Sequence, residues 1–162
     1  MAIHPVTAAD QQPMVPLIAQ FRAALHSYRG FAAEEDFAGA AAEFEDYLHR
    51  GYPMFAWEEN GLFVGFLVCR VDTPTVWVES LFVLPEHRRR GIAAALFDQA
   101  EALAASYGES MVYNYIHPNN HGVICFLESR GYTVLNLLEI RKPWPGETPA
   151  AKVSVDGHLF DY

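Results

Sequence analysis

Apolar and polar positions along this chain follow a helical period at first, then a strand period. Met14, Leu17, Ile18, Phe21 and Leu25 recur at helical spacing behind Thr7 and Asp10, which suit a helix entry. Pro13 and Pro16 fit only a first turn, so the pattern predicts a helix from about Pro13. Glu34, Glu35 and Asp36 load the start of a second helix with negative charge; Phe37, Ala41, Phe44 and Leu48 form its apolar stripe, and Gly51 closes it. Met54 to Trp57 and Leu62 to Val71 then read as strands joined by the tight turn Asn60-Gly61. Asp72-Thr73-Pro74 turns the chain into a third strand, Thr75 to Leu84, whose apolar runs predict burial on both faces. Ile92, Leu96, Ala100, Leu103 and Ala104 mark a helix from Gly91 to about Tyr107. A strand from Met111 to Ile116, a helix from Asn120 to Arg130 ended by Gly131, and a strand from Tyr132 to Ile140 follow. A strand–helix–strand connection places its two strands in parallel, so the expected fold class is α/β, a mixed central sheet with flanking helices.

The last twenty residues read differently. Lys142 to Pro149 is proline-rich and irregular, and Val153 to Phe160 suits a hairpin around Asp156-Gly157. With Leu159, Phe160 and Tyr162 in it, the tail 142–162 is expected to serve as an edge hairpin or as a contact in a homodimer. At 162 residues and 51% hydrophobic, the chain is expected to form one domain over 1–162. No apolar run approaches the roughly 18 residues of a membrane span, and the N-terminus lacks a secretory pattern. Cys69 and Cys125 lie in apolar surroundings and form no close pair, which fits a reducing cytoplasm. A net charge of -9 argues against a broad nucleic-acid surface, and suits either the steering of cationic substrates or solubility alone.

Against that acidic background, Arg88, Arg89 and Arg90 stand together between an apolar strand and the helix that opens on Gly91. A helix start presents unpaired N–H groups and the positive end of its dipole. Gly91 lets a ligand approach the backbone, and the arginines add positive charge, so Arg88 to Ala94 make a site for a phosphate or pyrophosphate. The same pattern also suits an ordinary strand-to-helix connection with a solvated basic patch. The glycines of the dinucleotide fingerprint and of the P-loop are lacking.

Arg88-x-x-Gly91-x-Ala93 resembles the [Gln/Arg]-x-x-Gly-x-[Gly/Ala] signature of the GNAT superfamily of acetyl-CoA-dependent N-acetyltransferases. Asn120, Ile124, Phe126, Gly131 and Tyr132 match a later motif of that family, in the right order and at the right distance, and the resemblance covers about residues 53 to 141. It implies a GNAT-type acyl-CoA N-acyltransferase fold and transfer of the acetyl group of acetyl-CoA to a primary amine by direct attack in a ternary complex. It further implies that Leu81, Phe82 and Val83 bind pantetheine through their backbone and that Arg88, Arg89, Arg90, Gly91, Ile92, Ala93 and Ala94 hold the pyrophosphate. Asn120 and Phe126 are expected to complete the cosubstrate site. The family often carries a tyrosine, proposed to protonate the CoA thiolate, where this chain has Leu127. That departure keeps open a second reading, an acyl-CoA-binding sensor or assembly protein without turnover.

For the chemistry itself, Glu79 is the general-base candidate. It is the acidic residue inside an otherwise apolar strand, and burial would raise its pKa toward the working range; the alternative is a solvent-facing glutamate or one paired with an arginine. Tyr115 lies where some family members place a base, and a tyrosine lining the core or groove is the other reading. Tyr113, Tyr115, Cys125 and Tyr132 are candidate donors of the thiolate proton by proximity in sequence, with none singled out. His117 and His121 flank Pro118, which argues for a turn rather than a shared helix face, so no metal site is expected.

Overall fold

A computed structural model describes residues 2–28, 30–32, 34–149 and 151–162. They divide into two compact units, one ending at Phe126 and the other starting at Leu127. The first opens with a strand that the sequence pattern did not show, β1 (Ala2–Pro5). Thr7 and Asp10 then cap each other: the Thr7 N–H donates to Asp10 Oδ2 at 2.8 Å, and the Ala9 N–H donates to Thr7 Oγ1 at 3.3 Å. A 3-10 turn over Ala8–Asp10 leads directly into α1 (Gln11–Tyr28). The helical path therefore starts upstream of Pro13, and Pro16 lies inside α1 rather than in its first turn. Asp36 caps α2 (Phe37–His49) by accepting from the Gly39 N–H at 2.8 Å. The buried stripe of α2 is Ala40, Phe44 and Tyr47, and Phe37 is exposed.

The meander follows as β2 (Met54–Glu59), β3 (Leu62–Asp72) and β4 (Thr75–Val83). After α3 (Ile92–Ser106) comes β5, which is only Tyr113–Asn114, and then α4 (His121–Ser129). The sheet order is β1-β2-β3-β4-β5; β4 and β5 are parallel and every other pair is antiparallel. This is the expected mixed α/β sheet with flanking helices.

Two layers cover the sheet. Met14, Ile18, Phe44, Phe66, Val68 and Phe82 belong to one core cluster, which packs α1 and α2 on the first face. On the second face, α3 packs on β3 and β4, with Ile92 beside Gly65. A Cβ there would lie 2.9 Å from the Phe82 carbonyl oxygen, 3.1 Å from Val83 Cγ2 and 3.4 Å from Ile92 Cγ2. Glycine at 65 is thus a packing requirement, set chiefly by β4 beside it.

In the second unit, the strand expected over 132–140 is absent: residues 133–140 carry no regular structure and are exposed. Their apolar alternation suits a strand, but a strand needs a hydrogen-bonded neighbour, and none pairs with them among the described residues. The expected terminal hairpin does form, as β6 (Lys152–Val155) and β7 (His158–Asp161) around Asp156 and Gly157, both with positive φ. Between the two segments, Arg141 forks onto Glu147 at 2.6 and 2.8 Å, and its guanidinium lies 3.5 Å from the Trp144 ring centroid.

Candidate active site

One extra residue in β4 creates the site. Val68 of β3 faces Ser80, and its neighbour Cys69 faces Val78, so Glu79 has no partner across the ladder. This is a β-bulge, which bends the strand and raises its twist. Parallel pairing to β5 stops at the same place: Trp77 faces Tyr113, Val78 faces Asn114, and no pair follows. From Glu79 to Val83, β4 is thus hydrogen-bonded to β3 alone among the described residues. The expected strand Met111–Ile116 shrinks to two residues for the same reason: its neighbour diverges at the bulge. Leu81, Phe82 and Val83 lie on this one-sided stretch, where a ligand's amide groups would find strand backbone to pair with.

The basic turn follows directly. Pro85–His87 form a 3-10 turn, Arg89 has φ 61° and Gly91 has φ 82°, so two left-handed residues bend the chain into α3. A Cβ on Gly91 would meet no protein atom within 4 Å, so its positive φ, not crowding, makes glycine the right residue. The first helical bond runs from the Ala95 N–H to the Gly91 carbonyl at 3.0 Å. The N–H groups of Ile92, Ala93 and Ala94 precede that bond at the positive end of the helix dipole. Donors, dipole and open approach fit a pyrophosphate.

The three arginines are not equivalent. Arg88 Nε donates to the Val83 carbonyl at 2.9 Å, and its guanidinium lies 5.7 Å from the Phe82 ring centroid. Arg90 Nη2 donates to Glu59 Oε1 at 3.0 Å. Arg89 is exposed and has no hydrogen-bond partner among the described residues. Arg88 and Arg90 are tied to the sheet, and Arg89 is not.

Glu59 escaped the sequence pattern. In Glu58-Glu59-Asn60-Gly61 both acids read as polar residues at a hairpin turn, and nothing marks one as buried. In the fold Glu59 is 7% exposed and accepts from Arg90, from Trp57 Nε1 at 3.4 Å and from His87 Nδ1 at 3.0 Å. Burial alone would raise its carboxyl pKa. The bond from Trp57, the Arg90 charge and the His87 contact outweigh burial and hold it below the usual glutamate value.

Glu79 is exposed, contrary to the burial expected of it. Its Oε2 lies 3.6 Å from Arg70 Nη1, and Arg70 Nε also donates to Asp72 at 3.1 Å. The bulge, which leaves Glu79 without a cross-strand neighbour, is the cause. The Arg70 guanidinium sits 5.1 Å from the Trp77 ring centroid, and Tyr115 stacks on Trp77 at 4.7 Å and 9°. Tyr115 is 62% exposed, so it lines a surface rather than a core. Behind β4, Tyr47 is hydrogen-bonded to Glu43 and lies 3.1 Å from Ser80 Oγ. Burial, reinforced by Glu43, drives the Tyr47 phenol far up, so it stays neutral.

Other candidates have local duties. Asn120 caps α4, its Oδ1 accepting from the Val123 N–H at 3.4 Å. Phe126 packs edge-on against the buried Phe97 of α3 at 5.5 Å, a core contact. Leu127 is buried. The His117 ring stacks on Tyr28, and Asn119 Nδ2 donates to the Tyr28 carbonyl at 2.9 Å, which pins this turn to the end of α1. Cys69 is buried, and burial pushes its thiol up to about 12; Cys125 is exposed, not enclosed by apolar neighbours as expected. Among the described residues no group of three His, Cys, Asp or Glu side chains is placed to hold a metal ion, and no helix is long and apolar enough to cross a membrane.

A sheet parted at the bulge runs directly into a basic helix entrance, a layout that suits an acetyltransferase. Residues 18–132 match the model of the acetyltransferase (GNAT) family. The chain belongs to that family and is an acetyltransferase. Among curated proteins no sequence match is found. Solved structures share the fold at low identity. The apo aminoglycoside antibiotic 6'-N-acetyltransferase AAC(6')-IG from Acinetobacter haemolyticus is 21% identical, with 89% of this chain and 99% of that one covered and a TM-score of 0.68. AAC(6')-Iy in complex with the bisubstrate analogue CoA-S-monomethyl-acetylneamine is 19% identical, covering 88% and 98%, with a TM-score of 0.68. A ribosomal-protein-alanine N-acetyltransferase from Brucella melitensis biovar Abortus 2308 is 18% identical, covering 89% and 100%, with a TM-score of 0.67.

Proposed function

We propose that this chain transfers the acetyl group of acetyl-CoA to a primary amine by direct attack in a ternary complex, without a metal. The observation that carries this is the coincidence of two features. β4 loses its parallel partner at Glu79, and the basic entrance of α3 follows five residues after β4 ends its one-sided stretch at Val83, a run suited to an extended arm ending in a pyrophosphate. Acetyl-CoA supplies the activated acetyl group. Backbone groups of Leu81, Phe82 and Val83 orient the arm, and one N–H there polarises the carbonyl. Arg88, Arg89 and the N–H groups of Ile92, Ala93 and Ala94 hold the phosphates. Glu79 takes the amine proton, directly or through water, with Arg70 fixing its carboxylate; Trp77 and Tyr115 beside it border the acceptor. No tyrosine stands at position 127, so the thiolate leaves without a side-chain acid there.

The solved relatives named above act on aminoglycosides or on a ribosomal protein, and here the acceptor is assigned only as a small-molecule or peptide amine. We further propose that the whole chain is one N-acetyltransferase domain, cytoplasmic, that pairs as a homodimer through its last residues. Val153 and Leu159 of the terminal hairpin are exposed, and a partner's surface would cover them. Two measurements test these statements. Calorimetric binding of CoA, followed by thiol release on addition of an amine panel, is the expected behaviour; binding without release from any amine contradicts turnover. Light scattering on the full chain and on one ending at Glu147 is expected to give dimer and monomer masses; equal monomer masses contradict the dimer.

A further inference from the structure

Three donors converge on one buried carboxylate beside the basic turn. Glu59 closes β2, next to the hairpin turn, and its side chain reaches residues about thirty positions later in the chain. Oε1 accepts from Arg90 Nη2 at 3.0 Å and from Trp57 Nε1 at 3.4 Å, and Oε2 lies 3.0 Å from His87 Nδ1. Arg90 Nη1 also approaches His87 Nδ1 at 3.1 Å, so the three side chains form a closed cluster. Arg90 and His87 bracket Arg88 and Arg89, and both ends of the turn are thereby fixed to β2.

We propose that Glu59 is a positioning residue for cosubstrate binding: it holds Arg90 and His87 against the sheet, and so shapes the turn that presents Arg88, Arg89 and the start of α3 to the pyrophosphate. Arg90 acts in this scheme through Glu59, not through a phosphate contact of its own. The reason lies in the backbone. Arg89 sits at φ 61°, a conformation unfavourable to a side-chain-bearing residue, and such a conformation persists only when its surroundings hold it. The Glu59 cluster on one side, and the bond from Arg88 to the Val83 carbonyl on the other, supply that restraint. Without Glu59, Arg90 would lose its buried acceptor, and the turn would relax away from the geometry the phosphates need. This inference rests on the assignment of the turn to the pyrophosphate.

The test compares acetyl-CoA with S-acetylpantetheine, a thioester that lacks the pyrophosphate. Wild-type enzyme should prefer acetyl-CoA; equal kcat/KM for the two would overturn the assignment of the turn itself, and is read on wild type alone. Given that preference, Glu59→Gln should raise KM for acetyl-CoA about tenfold, leave kcat near wild type, and leave kcat/KM for S-acetylpantetheine unchanged. Arg90→Gln should raise KM for acetyl-CoA similarly, and the double variant should be no worse than the weaker-binding single variant. Equal losses with both thioesters would mean that Glu59 only supports the fold and would overturn the inference. So would an unchanged KM in Glu59→Gln, or losses that multiply in the double variant. Should Glu59→Gln not fold, His87→Gln, at a half-buried member of the same cluster, is read by the same KM contrast and decides in its place.

Discussion

At the turn between β4 and α3, three side chains have fixed partners: Arg90 on Glu59, Arg88 on the Val83 carbonyl, His87 between Glu59 and Arg90. Around the bulge at the other end of the same β4 stretch, the groups lie open. Tyr115 is exposed on Trp77, and Glu79 shares Arg70 with Asp72. Under the proposed function the two regions meet different chemical demands. A pyrophosphate has the same shape at every turnover, and a preformed cradle binds it without reordering. An acceptor surface of stacked aromatics and exposed ion pairs adapts to its ligand, since such pairs contribute at most about 1 kcal/mol to their own geometry.

The largest effect expected from breaking this contrast is on the open side. Glu79→Gln should lower kcat by about 10²–10⁴ and leave CoA affinity near wild type. A pH–rate profile with full activity and an unchanged acidic limb would remove Glu79 from the chemistry. On the fixed side, Arg88→Ala or Arg89→Ala should weaken CoA binding by roughly 1.5–3 kcal/mol, and Gly91→Val by more, because valine is strained at φ 82° and projects toward the approach to the helix end. Calorimetry that finds CoA affinity intact in all three would dissociate the turn from the cosubstrate.

Gly65→Ala should cost about 1–3 kcal/mol of stability, since the added methyl meets the Phe82 carbonyl at 2.9 Å and backbone must move. The denaturation midpoint reports the cost, and an unchanged midpoint would show that β4 yields to the methyl at no cost. The smallest effect concerns the second unit. Hydrogen bonds from Arg141 and then from the Trp144 N–H lower the Glu147 carboxyl to about 2. A depressed carboxylate pKa stabilises the folded turn above the unfolded glutamate value, and that contribution fades as pH falls through the folded one. An NMR titration should place the Glu147 midpoint near 2, and Arg141→Gln should return it to the ordinary range. A wild-type midpoint already in that range would show the fork to be loose.

Local signals explain what was legible in the sequence. Asn60-Gly61 fixed the first hairpin, Asp156-Gly157 the last, and the run from Val83 through Ala94 carried strand, turn and helix entrance in one stretch. What stayed hidden depends on register. β1 joins the sheet through pairing with β2, and its four residues have no period of their own. The bulge removed the burial expected of Glu79 and shortened β5, and an extra residue in a ladder leaves no mark on one strand's composition. Glu59 was hidden because its meaning comes from Arg90 and His87, far along the chain. Val134 to Ile140 show the converse: a strand-like pattern stays irregular where no neighbour pairs with it.

The unpaired residue at position 79 also does a sorting job. Partners across an antiparallel ladder share a face, so Val76 and Val78 follow Val71 and Cys69 to the α3 side, and Ser80 and Phe82 follow Val68 and Phe66 to the α1 and α2 side. In a strand without the bulge these four alternate residues would all face one way. A single strand thereby feeds two cores in succession, and the residue that switches it between them is the one placed at the proposed chemistry. Deleting Glu79 would set Ser80 directly after Val78, opposite Val68 and Cys69 in an unbroken ladder, so both layers would keep their side chains and only the bulge and its carboxylate would be lost.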